Sequence, residues 1–232
     1  MKRSTILVLS TVMAWAGSSA MGTPYVEQFN TGNAGWLAVR TSPDSWPTAT
    51  YQSSGGHPGG CISGAVTATG SRLFGFQPSN LAPYGNMTGL TLTVDYKING
   101  AVTAPSGALV RFYVGTYTGG NNYFVSSDTF SWNPNMDTAW ASHLVSLLQT
   151  NFILWPNQNA GNKSFAQVIA APEDIGLVFA DSAGNFGNNA MLGFSGNATI
   201  SIDNFGTVVP EPTTLGLLAA GGVMVMLRRK HA

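Results

Sequence analysis

From Leu90 to Ile98 the chain alternates without a break: Leu90, Leu92, Val94, Tyr96 and Ile98 are apolar, and Thr91, Thr93, Asp95 and Lys97 between them are polar. Successive side chains of a strand point to opposite faces, so this period of two predicts a strand with one buried and one wet face. Val110, Phe112 and Val114 repeat the pattern around Arg111 and Tyr113, as do Ile175, Leu177 and Phe179 around Gly176 and Val178, and Ala198, Ile200 and Ile202 around Thr199, Ser201 and Asp203. Turn-forming clusters separate these runs at Gly55, Gly56, Pro58, Gly59 and Gly60, at Gly119 to Asn122, and at Gly184 to Asn189. The stretch from Trp140 to Leu148 fits either period, and its one-sided alternation favours strand. No segment carries a convincing helical stripe. The prediction is therefore an all-β, antiparallel two-sheet sandwich of the jelly-roll type. No internal repeat or linker divides residues 23–207, so one domain is expected there.

Composition agrees and removes several function classes. Only 9% of the 232 residues are charged against 44% hydrophobic, with 28 Gly and 12 Pro, which fits neither a charged disordered chain nor a helical bundle. Ten basic residues balance ten acidic ones. That balance argues against a nucleic-acid binder working by phosphate neutralisation. Cys61 is the single cysteine, so no intramolecular disulfide is available and stability must come from the core or a metal.

Both ends read as addresses. Lys2 and Arg3 precede an apolar run from Ile6 to Gly17, followed by Ser18, Ser19 and Ala20. A basic start, an apolar stretch too short to span a bilayer and small residues at its end make residues 1–20 a signal peptide, cut after Ala20 by signal peptidase. At the other end Val209 leads into Pro210, Glu211 and Pro212, then a mostly apolar run from Leu215 to Leu227, then Arg228, Arg229 and Lys230. Read alone, this is a short membrane helix with its basic end in the cytoplasm. The tripeptide, apolar helix and basic end in that order resemble the PEP-CTERM sorting tail, which would occupy residues 209–232. The resemblance implies a Gram-negative exported protein, held transiently at the inner membrane until an exosortase, a membrane-embedded cysteine transpeptidase-like enzyme, processes it for the cell surface or extracellular matrix. Pro210, Glu211, Pro212, Arg228, Arg229 and Lys230 are then a signal read by another enzyme. Between the two addresses, five cations and nine anions leave the exported part mildly acidic.

The exported domain, residues 21–208, resembles the laminin IV (laminin B) and carbohydrate-binding jelly rolls. The matching features are Phe29 with Gly35 and Trp36, the run Gly55 to Gly60, and Leu73 to Pro78 leading through Tyr84 and Gly85 into the Leu90 strand. Trp140, Val145, Leu147 and Trp155 follow, with Ile200 to Phe205 closing the domain. The resemblance implies a fold and a binding or structural role, with no catalytic residues to carry over.

Candidate chemistry is correspondingly sparse. The exported part has two histidines, His57 and His143, and no G-x-S-x-G, HExxH or Walker A motif. His57 reads as a solvated turn residue and His143 as a solvent-facing strand residue. Glu173, Asp174, Asp181 or Asp203 could supply a carboxylate pair for glycoside hydrolysis, whose separation the sequence does not give. The resemblance to jelly-roll binding modules suggests that first and last strands pair, bringing Glu27 and Asp203 together as ligands of a structural Ca2+. The plainer reading makes Glu27 an edge residue and Asp203 a turn acceptor. No other cofactor is indicated. Sugar binding needs exposed aromatic faces beside amides and carboxylates. Trp46, Tyr51, Tyr117, Tyr123 and Trp132 lie in polar, Gly/Asn-rich surroundings with Asp128, and are the glycan-binding candidates; Trp36, Trp140 and Trp155 are assigned to the core. The expectation is a non-catalytic exopolysaccharide-binding surface protein. A purely structural matrix protein is the alternative, and a glycan-active hydrolase the third reading.

Overall fold

The computed structural model describes residues 21–41, 44–45, 47–67, 73–103, 109–127, 130–131, 139–155, 161–180 and 195–210. Fourteen strands follow in chain order: β1 (Tyr25–Glu27), β2 (Trp36–Thr41), β3 (Asp44–Ser45), β4 (Thr50–Gly56), β5 (Gly59–Thr67), β6 (Leu73–Pro78), β7 (Thr91–Thr103), β8 (Leu109–Thr116), β9 (Asn122–Ser126), β10 (Phe130–Ser131), β11 (Ala141–Ser146), β12 (Phe152–Leu154), β13 (Asp174–Ala180) and β14 (Ser195–Val208). Among the described residues a 3-10 turn at Gln149–Asn151 and one short α-helix, α1 (Phe165–Ala170), interrupt them. The four alternating runs read from sequence are β7, β8, β13 and β14, and the ambiguous Trp140 stretch contains strand β11.

The strands form two antiparallel sheets. Sheet A runs β11-β7-β14-β5-β4, with β1 also on β14; sheet B runs β12-β9-β8-β13-β6-β2-β3, with β10 on β8. The pairings nest: β5 with β14, β6 with β13, β7 with β11, β8 with β9. A chain folded back on itself this way and then rolled across two sheets is a jelly roll. The β1–β14 pairing expected of first and last strands is present, with Tyr25 opposite Thr207 and Glu27 opposite Phe205.

Alternation fills the space between the sheets. Leu92, Val94, Tyr96 and Ile98 of β7, with Ile200 and Ile202 of β14, meet Phe112 and Val114 of β8, Ile175 and Leu177 of β13 and Phe76 of β6 in one buried core. Trp36 sits at one end against Phe29 at 5.5 Å and Phe205 at 4.7 Å between ring centroids. Phe205 reaches the core because the β14–β7 register shifts between Asp203 and Gly206. Asn204 takes a φ of 48° there. Asparagine tolerates that left-handed conformation, and the extra residue of such a bulge returns the next side chain to the inner face.

The helix escaped the sequence reading. Its signal is the S-x-x-Q box of Ser164 and Gln167: the Gln167 N–H donates to Ser164 Oγ at 3.3 Å and the Ser164 N–H donates to Gln167 Oε1 at 2.8 Å. Phe165 then packs at 4.8 Å from Phe152 and 5.3 Å from Phe124. No helix among the described residues is long and apolar enough to cross a membrane. The expected signal and sorting helices lie outside the described residues, apart from Pro210.

Candidate functional site

Two polar constellations stand on opposite outer faces of the sandwich. The first lies on sheet B. Strand alternation turns Gln77 of β6, Tyr113 of β8, Tyr123 of β9 and Asp174 of β13 away from the core, because their neighbours Phe76, Phe112, Phe124 and Ile175 point into it. Above them opens a cleft of about 530 Å³ lined by Leu37, Gln77, Pro78, Ser79, Asn80, Leu81, Tyr117, Tyr123, Glu173 and Asp174.

Register brings these groups together from distant parts of the chain. Asp174 lies opposite Gly115, and Gly115 lies opposite Tyr123. Gly115 is required: a Cβ there would stand 2.2 Å from the Tyr123 ring. Tyr117 follows β8 in the turn, 62% exposed. Glu173 fixes that turn, its Oε2 accepting the Tyr117 N–H at 2.8 Å and the Thr118 N–H at 2.7 Å. Partial burial pushes the Glu173 carboxyl up, but these donors and the Lys163 ammonium outweigh it and hold the group below its ordinary value.

Asp174 is perturbed the other way. Burial raises its pKa to about 6, with the hydroxyls of Tyr113 and Tyr123 only partly offsetting the cost. Those hydroxyls donate to Oδ1 at 3.0 Å and Oδ2 at 3.2 Å. The Tyr113 hydroxyl also lies 2.8 Å from Gln77 Oε1. Behind them Trp155 packs edge-on, 5.5 Å from Tyr113 and 5.9 Å from Tyr123. Trp155 is buried as expected, but in a small cluster with Tyr113, Val125 and Val178 apart from the main core. It braces the cleft floor.

The second constellation lies on sheet A, where the β4–β5 hairpin folds over the outer face. Asp95 and Asp203 sit opposite each other on β7 and β14. Asp203 is fully buried and accepts the His57 N–H at 2.6 Å and the Asn204 N–H at 2.8 Å. Burial raises its pKa, those two donors work against the rise, and the Asp95 charge adds to it. Asp95 Oδ2 meets His57 Nδ1 at 3.0 Å and the Asn204 amide at 2.7 Å, while its Oδ1 accepts from Ser142. The His57 ring stacks on Trp140 with centroids 6.2 Å apart, and Trp140 Nε1 donates to Gly55 O at 3.0 Å. Lys97 Nζ lies 4.8 Å from the Trp140 ring centroid and also donates to Gly55 O, at 2.9 Å. This is a latch on the hairpin tip.

Three expectations change here. Trp140 is not a core residue; it is half-buried on the outer face, since its indole N–H finds a partner in the hairpin rather than between the sheets. His57 is not simply solvated but tied to Asp95 and Trp140. His143 does not face solvent: it shares the inward face of β11 with Val145 and stacks 5.9 Å from Phe112.

The other candidates divide. Tyr117 and Tyr123 come together in the cleft. Tyr51 is on β4 in sheet A, its hydroxyl donating to Asn30 O at 2.9 Å. Trp46, Asp128, Trp132 and Asp181 lie outside the described residues, as do Glu211, Pro212, Arg228, Arg229 and Lys230. Of the carboxylates weighed for hydrolysis, Glu173 and Asp174 share the cleft, whereas Asp203 is on the other sheet. Glu27 and Asp203 are engaged separately: Glu27 accepts from the Tyr25 hydroxyl at 2.7 Å and the Phe29 N–H at 3.1 Å. Among the described residues no group of three or more His, Cys, Asp or Glu side chains is placed to hold a metal ion. Gln77 and Asn80 are cleft residues that sequence reasoning missed, because nothing local marks an amide at a strand end as ligand-facing.

The end of β14 runs directly into the tail. Residues 208–230 match the PEP-CTERM protein-sorting motif. The PEP-CTERM tail thus starts at the last residue of the sandwich, with no spacer between fold and sorting signal. No curated protein matches the chain. Among solved structures, the chain is similar to a family 11 carbohydrate-binding module from Clostridium thermocellum in complex with a β-1,3-1,4-mixed-linked tetrasaccharide, at 16% identity and a TM-score of 0.47 over 82% of this chain and 97% of that one. It is also similar to the L4b domain of human laminin alpha-2, at 12% identity and 0.46 over 82% and 98%. A third is the CBM22-1 xylan-binding domain of Paenibacillus barcinonensis Xyn10C, at 11% and 0.42 over 81% and 94%.

Proposed function

We propose that the protein is an exported, non-catalytic glycan-binding module, delivered by its PEP-CTERM tail through an exosortase to the cell surface or extracellular matrix, where it holds exopolysaccharide. The observation that carries this reading is the sheet B cleft. An exposed tyrosine ring and a second, half-buried one stand beside two carboxylates and two amides. Sugar C–H faces stack on rings, and sugar hydroxyls bond to carboxylates and amides. Stacking of this kind is worth about 0.5–1.5 kcal/mol, or roughly two- to tenfold in affinity.

Tyr117→Ala tests it. The side chain is 62% exposed, so its removal leaves the fold intact and should weaken retention in affinity electrophoresis through the producer's exopolysaccharide by that factor. Retention unchanged in both Tyr117→Ala and Tyr123→Ala would refute the cleft as the site. Trp46→Ala and Trp132→Ala ask the same of the remaining aromatic candidates.

The structural alternative has its own support. The segment 138–155 contains no Asp, Glu, Lys or Arg, yet exposes Leu144, Leu148, Ile153 and Leu154. Strands β11 and β12 end the two sheet orders, and uncharged sheet edges invite pairing with another strand. Concentration-dependent assembly in sedimentation velocity, with no saturable glycan affinity, would favour this reading instead.

A further inference from the structure

Every charged residue lining the cleft is an acid. Glu173 and Asp174 are both there, and among the described residues that line it none is Lys, Arg or His. Among the described residues Lys163 acts on Glu173 from outside this lining, and its ammonium donates to Thr116 Oγ1 at 2.8 Å. Neither acid is free to swing aside. Glu173 is pinned by two backbone N–H groups and Asp174 by two tyrosine hydroxyls.

An uncharged sugar benefits from this arrangement, since each hydroxyl is a donor for a fixed acceptor. A uronate sugar brings its own carboxylate next to one or two others in a partly desolvated cleft, where like charges repel more strongly than in water. Resting on the glycan-binding reading above, we infer that the cleft selects uncharged glycans and rejects uronic-acid polysaccharides, with Asp174 as the selecting group. The selection is graded by pH. The groups facing Asp174 are Tyr113 from β8, Tyr123 from β9, Gln77 from β6 and its neighbour Glu173. Burial and the Asp174 charge raise both tyrosines above their ordinary value. Glu173 is held low by its donors and by Lys163, so Asp174 is the group of this set that changes charge between pH 5 and pH 8.

The test uses two oligosaccharide series that differ only at C6: β-1,4-mannan against β-1,4-mannuronate, and cello-oligosaccharides against their C6-oxidised glucuronan. Calorimetry with the sandwich domain in the full chain at pH 8 should give binding to a neutral series at least tenfold tighter than to its uronate. The gap should shrink at pH 5 and in Asp174→Asn at either pH. Uronate binding equal to or tighter than neutral binding overturns the selectivity while leaving glycan binding in place. An unchanged gap in Asp174→Asn removes Asp174 as the selecting group. Absence of binding to both series and to the producer's exopolysaccharide overturns the proposed function itself.

Discussion

Asp174→Asn exchanges a carboxylate for an uncharged group of the same shape, and the burial of the site sets the direction of the stability change. In the folded protein the carboxyl holds its proton up to about pH 6, against 3.8 ordinarily. Its folded pKa is thus raised, so the proton's contribution to stability is full below about pH 3.8 and is lost as pH rises to about 6. At about 1.4 kcal/mol per pH unit the total is about 3 kcal/mol. Roughly 0.5 kcal/mol of this is already lost at pH 4, leaving about 2 kcal/mol to disappear between pH 4 and pH 8. The asparagine variant has nothing to lose over that range. Urea unfolding of both proteins at pH 4 and pH 8 should therefore show wild type losing about 2 kcal/mol more than the variant, with every other titrating group cancelling in the comparison. At pH 8 the variant should be the more stable protein. Parallel stability profiles, or a variant less stable than wild type at pH 8, would refute the claim that the cleft stores an unfavourable charge. A destabilising carboxylate kept in a cleft is the stability cost that the proposed glycan site would account for.

Other changes test the rest of the architecture. Asp203→Ala removes the buried acceptor of the His57 and Asn204 N–H groups and should cost about 2–4 kcal/mol in urea unfolding; a loss below about 1 kcal/mol would contradict the latch. Trp140→Ala should raise hydrogen exchange at the hairpin tip, Gly55 to Gly59, without altering glycan retention, since the cleft is on the opposite sheet; unchanged exchange would mean the indole does not hold the hairpin. Ser164→Ala removes the helix cap and should cost about 1 kcal/mol, read from the same unfolding curves.

The fold was legible wherever one face is wet and the other dry. The alternation of β7 needs only local sequence, and so do the Gly-rich turns at Gly55 and Gly119. The bulge at Asn204 was not legible, because Ile200 to Phe205 looks like unbroken strand until the pairing with β7 shows the slipped register. Trp140 and His143 went wrong together and for one reason. At the start of an edge strand a tryptophan with a nearby backbone acceptor can lie outside, while a histidine within it can stack inward on Phe112, so residue type predicts burial poorly there. Half the cleft was visible, since Tyr117 and Tyr123 flank one turn in polar surroundings. Its acids were noticed only as possible catalysts, because the register that lays Asp174 beside Gly115 spans 59 residues of chain.

Strand β14 lies between β7 and β5 in the middle of sheet A, and it is also the strand from which the chain leaves for its sorting tail. A tether at that end transmits load straight into the best-connected element of the domain. A pull along the strand axis loads the hydrogen bonds on both flanks in shear, all together, rather than unzipping them one at a time as a pull on an edge strand would. The other exit, at β1, is stitched antiparallel to the same stretch, Tyr25 beside Thr207. Both ends of the sandwich therefore emerge at one place, on the sheet opposite the one that carries the cleft. The domain is built like a hook whose shank is also its central beam.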